Sequence, residues 1–248
     1  MLKIYVNGSS GKMGQALTNL INQSKEFNLV TKETSLSDVV IDFSHPDSTI
    51  EIIKDCFKNK IPLIIGTTDL DEETLIEIKK ASKHIPILLA ANMSIGILQL
   101  KEALVAFIKL NKEKIDCLIE EIHHSGKLDS PSGTAIEIKD LIKNTDSKKN
   151  INQIKINSKR IDNVFGIHKI TFLNEESSTD FKHEALSRDI YANGAIKCAM
   201  SIHKLEPNLY KFEDIINWDI PFKKLKFSIE YSNFKHEDSI VVKLGCFW

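Results

Sequence analysis

The chain has 248 residues, of which 42% are hydrophobic and 27% charged, and a formal net charge of −1. That length buries a sizeable core, in one large domain or two small ones. The balanced charge gives no global case for nucleic acid or membrane as partner, and no apolar run approaches the ~20 residues that span a bilayer.

Leu2 to Val6 reads as a buried strand, and Asn7 leads into Gly8-Ser9-Ser10-Gly11-Lys12-Met13-Gly14. Met13, Leu17, Leu20 and Ile21 behind it share one helix face. Strand, glycine turn and helix form the phosphate-binding start of a dinucleotide fold: glycine lets the backbone approach a pyrophosphate, and the helix start supplies N–H groups. A glycine turn also joins strand to helix for structural reasons alone.

The alternation continues with strands at 28–30, 39–43, 62–65 and 85–90 and helices at 46–59 and 71–83. Continuous apolar strands between amphipathic helices predict a parallel sheet covered on both faces. Ligands of such sheets sit beyond the carboxyl ends of the strands. Those ends are Gly8 to Gly14, Phe43-Ser44, Gly66-Thr67-Thr68 and Ala90-Ala91-Asn92-Met93, all rich in small or hydrogen-bonding residues. Between Val30 and Val39 there is no room for the usual helix and strand. The adenosine end of a cofactor is therefore less enclosed, and its acidic ribose-binding residue has no clear counterpart. Glu33 fits that task, whereas Lys12 and Lys32 suit a 2′-phosphate, so NADH and NADPH both stay open.

A long amphipathic helix follows over 95–112, then more alternating strands at 115–122, 151–158, 167–173 and 178–186, predicting a second domain with a mixed or antiparallel sheet. A helix over 188–204 follows, and the stretches 224–231 and 239–247 alternate like an edge hairpin.

The segment His123-His124-Ser-Gly-Lys127-Leu-Asp129-Ser-Pro131-Ser132-Gly133-Thr134-Ala135 carries most of the chemistry. Pro131 cannot continue a strand, and Ser132 is a natural N-cap for a helix starting near Gly133. The N–H groups and dipole at that helix start favour a carboxylate or phosphate. Two imidazoles and a lysine beside such a cradle suit a small anionic substrate that gains or loses a proton. The same residues also fit a solvated loop and a plain cap, and spacing does not separate the two readings. A metal site is not expected: adjacent histidines point in different directions, and no Cys-x-x-Cys or His-Glu-x-x-His run is present.

Among 33 basic residues only Arg160 and Arg188 are arginines. Either a planar bidentate fork or chance has kept them. The four cysteines (Cys56, Cys117, Cys198, Cys246) are far apart and suit buried thiols in a reducing compartment. With no signal-peptide apolar region ahead of the first strand, the expected location is cytoplasmic.

These motifs together resemble the 4-hydroxy-tetrahydrodipicolinate reductase (dihydrodipicolinate reductase) family. The resemblance rests on Gly8 to Gly14, Ile41-Asp-Phe-Ser44, Gly66 to Thr68, Ala90 to Ser94, His123 to Ala135, His183-Glu-Ala-Leu-Ser-Arg188 and Tyr191-Ala-Asn-Gly-Ala195, in the family's order over residues 1 to about 216. It implies an α/β protein: a Rossmann-like parallel-sheet domain (1–94 and 189–248), shortened after its second strand, and an α+β substrate and oligomerisation domain with a mixed sheet (95–188). It implies NAD(P)H-dependent reduction of a cyclic dicarboxylate in diaminopimelate and lysine biosynthesis, by a homotetramer.

Carried over by residue, Gly8, Ser9, Ser10, Gly11, Lys12, Met13, Gly66, Thr67, Thr68, Ala90, Ala91, Asn92 and Met93 contact NADH or NADPH. His123 and Lys127 are the catalytic donor/acceptor pair, and His124, Ser132, Gly133 and Thr134 hold the substrate. Met93 stands where the family often has phenylalanine, and the tail from about Asn217 extends past the family's usual end. Two other readings remain: another two-domain NAD(P)-dependent dicarboxylate reductase resembling aspartate dehydrogenase, and a silent nucleotide-binding regulatory protein.

Overall fold

The computed structural model describes residues 1–216, 228–231 and 240–243. The chain divides into two compact units: Met1–Ser94 with Arg188–Trp218, and Ile95–Ser187 with Asp219–Trp248.

Unit 1 alternates β1 (Leu2–Asn7), α1 (Lys12–Gln23), β2 (Phe27–Val30), β3 (Val39–Asp42), α2 (Pro46–Asn59), β4 (Leu63–Ile65), α3 (Glu72–Ala81) and β5 (Ile87–Leu89). In unit 2, α4 (Ile95–Leu110), β6 (Ile115–His123), α5 (Gly133–Thr145), β7 (Ile151–Arg160), β8 (Ile167–Leu173) and β9 (Ser178–Glu184) follow. The chain then returns to unit 1 as α6 (Asp189–Ile202), β10 (Leu209–Tyr210) and α7 (Phe212–Ile215), and ends in unit 2 with β11 (Ser228–Tyr231) and β12 (Ile240–Lys243).

The first sheet runs β10-β5-β4-β3-β1-β2, all parallel. Its central strands are apolar on both faces, as in Val39-Val40-Ile41, because helices cover both. On one face Ile52, Ile53 and Cys56 of α2 and Ile78 of α3 pack on Val40, Leu63, Ile65 and Ile87. Burying each such side chain contributes roughly 1.5–3 kcal/mol. The short stretch after Val30 makes one 3-10 turn, Thr34–Leu36, so β2 is the edge strand.

α6 explains a glycine in Tyr191-Ala-Asn-Gly-Ala195. A methyl group at position 194 would lie 1.8 Å from the Met93 carbonyl oxygen, a backbone atom that cannot swing aside. The Gly194→Ala substitution is therefore expected to destabilise unit 1 by about 3 kcal/mol, as overpacking against fixed backbone does. A fall in the urea midpoint of that unit, with unit 2 unchanged, checks it.

The second sheet is mixed, in the order β11-β12-β9-β8-β6-β7. β6 pairs parallel with β7 and antiparallel with β8, and β8 pairs antiparallel with β9. Helices α4 and α5 cover one face through Ile97, Leu100, Leu104, Ile138 and Ile142, packed on Cys117, Ile119, Ile170, Phe172 and Phe181. The placement of 189–248 with the first domain stands for 189–218 and needs correction for the strands beyond it. β12 pairs parallel with β9 and carries β11 as an antiparallel partner, so these strands extend the second sheet. The edge strand β9 offers an open row of backbone groups that β12 satisfies. The rest of the 217–248 tail lies outside the described residues.

Candidate functional site

In unit 1 the strand ends behave as the glycine pattern predicts. Gly8 takes φ +81°, a left-handed conformation, and Gly11 donates its N–H to the Gly8 carbonyl at 3.0 Å. A methyl at Gly14 would meet the same carbonyl oxygen at 2.1 Å, so α1 starts directly on the turn. The first turn of α1 has no side-chain cap and no acidic residue. Its N–H groups and dipole are thus directed at an exposed stretch, Ser9 to Lys12, which suits the pyrophosphate of a nicotinamide dinucleotide.

Sequence reasoning missed the residue that ties these ends together. Asp42, fully buried at the end of β3, accepts from Asn7 Nδ2 (2.8 Å), Thr49 Oγ1 (2.6 Å), Thr67 Oγ1 (2.9 Å) and Ser44 Oγ. It braces β1, β3 and β4 at one edge. A lone carboxylate closing the otherwise apolar Val39-Val40-Ile41 was the available signal. Thr67 has its hydroxyl committed here, donating to Asp42 and accepting from the Ser44 N–H at 3.0 Å, which leaves its backbone for a cofactor. Thr68 and Asn92 are half-buried, Ala91 is exposed, and Met93 is buried.

In unit 2 the buried face of β6 reads Ile115, Cys117, Ile119, Glu121, His123, apolar until its last two members. Register places Ser158 of β7, His168 of β8 and, through β8, His183 of β9 in one row with Glu121. Arg160 stands beside His123. The apolar sheet therefore ends in a polar strip.

Glu121, fully buried, is the hub of that strip. One carboxylate oxygen meets His123 Nδ1, and Arg160 Nη1 donates to both oxygens at 3.0 and 3.1 Å. The Ser132 N–H donates to Oε1 at 3.3 Å. Arg160 Nη2 also donates to the Asp129 carbonyl at 2.5 Å, so this arginine does act as a fork, onto the protein's own loop. Burial pushes the Glu121 carboxyl up, but hydrogen bonds from His123, Ser158 and Arg160 outweigh it and bring the group down to about 2.

The loop after β6 turns back at once, the Lys127 N–H donating to the His124 carbonyl at 3.1 Å. Lys127 Nζ lies 2.7 Å from Asp129 Oδ1, while Asp129 Oδ2 accepts the Gly133 N–H at 3.3 Å. Ser132 caps α5 as its sequence predicts, its Oγ accepting from Ala135 N, and the same hydroxyl meets His168 Nε2 at 3.3 Å. Both of these contacts of the Ser132 hydroxyl lie within the protein. Thr134 is buried at the first turn, and His124 is half-buried. His123, His124, Lys127, Ser132, Gly133 and Thr134 thus meet at one end of unit 2. Asp129, Glu121 and His168 join them without having been singled out.

Burial, with the nearby charges of His123 and His183, holds His168 down to about 3; burial holds His183 down to about 4. Both stay neutral in the folded protein where unfolded-chain imidazoles, near ~6.5, take up protons. Their contribution to stability is complete above pH ~6.5 and is lost as pH falls, to about 4 for His183 and about 3 for His168, at about 1.4 kcal/mol per pH unit for each. Glu121 adds a loss in the same direction, starting below its unfolded-chain value near ~4.3 and completed near its folded value. The urea midpoint of unit 2 is expected to fall steadily with acid from pH ~6.5, and His168→Gln to flatten the upper part of that slope. A flat midpoint down to pH 4 would contradict neutral burial of these rings.

Comparison with known proteins supplies the family. A model described as "Dihydrodipicolinate reductase, N-terminus" matches residues 2–35 and 31–93, and one described as "Dihydrodipicolinate reductase, C-terminus" matches 96–216. The chain belongs to the dihydrodipicolinate reductase family. A relative named 4-hydroxy-tetrahydrodipicolinate reductase from Bdellovibrio bacteriovorus is 36% identical over 225 residues, covering 87% of this chain and 96% of its own. One of the same name from Rickettsia rickettsii is 35% identical over 240 residues, covering 87% and 99%. A dipicolinate-bound dihydrodipicolinate reductase from Paenisporosarcina sp. TG-14 shares the fold with a TM-score of 0.66 at 21% identity, over 87% of this chain and 100% of that one. The second dihydrodipicolinate reductase model starts at residue 96, one residue inside unit 2, and it runs through α6 and α7 of unit 1.

Proposed function

We propose that unit 1 holds a nicotinamide cofactor and unit 2 a cyclic dicarboxylate, and that the chain reduces 4-hydroxy-tetrahydrodipicolinate to tetrahydrodipicolinate. The chain is an NAD(P)H-dependent oxidoreductase of diaminopimelate and lysine biosynthesis. When bound, the nicotinamide supplies a hydride to the substrate ring. The turn at Gly8, Ser9, Ser10, Gly11, Lys12 and Met13 holds the pyrophosphate, with Gly66, Thr67, Thr68, Ala90, Ala91, Asn92 and Met93 along the other strand ends.

The observation that carries the substrate reading is the convergence of Lys127 Nζ and the Gly133 N–H on one carboxylate, that of Asp129. Asp129 shows that the spot accepts a carboxylate, and one carboxylate of the substrate takes it by displacing the Asp129 side chain, with the Thr134 N–H and His124 adding contacts. Loss of the 4-hydroxyl as water takes up one proton at the leaving oxygen and gives up one from a neighbouring ring carbon, so the dehydration itself consumes none. Hydride addition to the conjugated imine leaves an electron-rich nitrogen or carbon that takes a proton. His123 and Lys127 are the donors at hand. Per turnover the balance is one hydride and one proton consumed and one water released.

No helix among the described residues is long and apolar enough to cross a membrane. Cytoplasmic action and a homotetramer complete the proposal. Substrate profiling tests it. The condensation product of pyruvate and aspartate semialdehyde should be turned over with NADH, NADPH or both, and oxaloacetate with ammonia should not. The reverse pattern would make the chain an aspartate-dehydrogenase-like enzyme. Cofactor binding with no turnover at all would leave the silent nucleotide-binding reading.

A further inference from the structure

Resting on the reading of His123 as a proton donor and acceptor, we propose that Glu121 is its positioning residue. Glu121 fixes the ring in one orientation and one tautomer, with Nδ1–H toward the carboxylate and Nε2 presented for proton transfer.

The strand pattern makes Glu121 conspicuous. An apolar residue at 121 would continue the run of Ile115, Cys117 and Ile119, and burying a carboxylate there instead costs free energy unless every lone pair is answered. The fold answers them with His123 Nδ1, Arg160 Nη1 and the Ser132 N–H. That arrangement is itself imperfect, since Arg160 Nε is buried with no hydrogen-bond partner. A buried ion pair of this kind is a poor source of stability compared with packed hydrophobic residues. What it supplies is geometry. An imidazole whose Nδ1 is held by a carboxylate has its tautomer set by that bond, and its imidazolium form is stabilised as it appears.

The same carboxylate ties together three pieces of the candidate site. Through His123 it fixes the end of β6, and through the Ser132 N–H it fixes the first turn of α5. Through Arg160, which also holds the Asp129 carbonyl, it fixes the loop whose Lys127 pairs with Asp129. The charged and titratable groups around His123 are Glu121 on its own strand, Arg160 from β7, His168 from β8 and His183 from β9, with Lys127 and Asp129 from the loop before α5. Among these, Glu121 is in direct hydrogen-bond contact with the His123 ring. His168 meets that ring edge-on, with centroids 5.1 Å apart, and being held neutral it adds no competing charge.

Two measurements test the proposal. Nitrogen-15 NMR of histidine-labelled wild-type protein should show neutral His123 protonated at Nδ1; a ring protonated at Nε2 would overturn the proposal without any variant. In Glu121→Gln, kcat is expected to fall about 100-fold with KM for the dicarboxylate within about 3-fold, cofactor affinity unchanged, and the pH–rate profile displaced toward acid. Glu121→Asp should recover part of the rate. If Glu121→Gln fails to fold, the tautomer measurement decides alone. Full turnover in His123→Ala would sink the proton-transfer reading itself. Loss in His123→Ala alongside a wild-type rate and pH profile in a folded Glu121→Gln would sink the positioning role only. The double variant should be no slower than His123→Ala, because Glu121 acts through that ring.

Discussion

Lys127→Ala is expected to lower kcat/KM about 1,000-fold while NADH and NADPH affinities stay within about 2-fold. The side chain is a single point where two demands meet. Its Nζ pairs with the Asp129 carboxylate, which also takes the Gly133 N–H, and a substrate carboxylate that replaces Asp129 there meets the same two donors. It stands three residues past His124 in a turn closed by the chain's own backbone bond, so its position relative to the histidines is fixed by the fold. Removing it takes away a charge-assisted contact and a proton donor together. Lys127→Arg keeps the charge but replaces a compact ammonium by a planar fork that cannot lose its proton, and it should not restore the rate. Steady-state kinetics with cofactor titration in parallel checks both variants. A Lys127→Ala protein with unimpaired turnover would remove lysine from the mechanism.

The second large effect is expected at Asp42. The Asp42→Ala substitution removes the acceptor shared by Asn7 Nδ2 and the hydroxyls of Thr49 and Thr67. Asn7 Nδ2 keeps the Ser44 and Ser48 hydroxyls and Thr49 keeps the His45 carbonyl, so the buried Thr67 hydroxyl is the donor left to find another acceptor. Losing the brace and leaving that donor unanswered costs about 2 kcal/mol. The loss is local to the edge of the sheet where the glycine turn sits, so cofactor Kd should rise at least about 10-fold even where the protein remains folded. Asp42→Asn keeps the shape but points an NH2 group at a ring of donors, so it should rescue little. Urea unfolding and cofactor titration on the same samples separate the two consequences. Unchanged affinity in a destabilised Asp42→Ala would confine the brace to folding.

Periodic signals carried most of the fold. The helix at 46–59 and the strand at 167–173 are found where hydrophobic spacing sets them, because each is decided by which residues face a core. The helix expected to reach Lys112 stops at Leu110, and the strand expected from Ile85 is reduced to Ile87–Leu89; ends depend on local hydrogen bonds that spacing does not record. The tail strands alternate as an edge hairpin should, yet their pairing with β9 is a tertiary choice between two sheets, which one-dimensional pattern cannot express.

The site was legible where it is local. Ser132 as a cap and Gly133 as a helix start follow from residue types in a row. Asp42, Glu121 and His168 were not read as functional, because their partners lie tens of residues away. Asn7 and Asp42 meet across two parallel strands, and Glu121 meets Arg160 only through the register of β6 and β7. Their common mark in the sequence is a polar residue at a position where the strand pattern calls for an apolar one. Ser132 and Thr67 show the converse: residues read as ligand contacts whose hydroxyls the protein itself employs.

The most direct measurement follows the hydride. Wild-type protein is supplied with a nicotinamide cofactor deuterated at the transferring carbon, in each of its two stereochemical forms, together with freshly generated 4-hydroxy-tetrahydrodipicolinate. One form should yield tetrahydrodipicolinate carrying one deuterium at the carbon that bore the hydroxyl, with one cofactor oxidised per product and none oxidised when the substrate is withheld. Cofactor that binds but stays reduced in the presence of substrate, or product that carries no deuterium from either form, would contradict it.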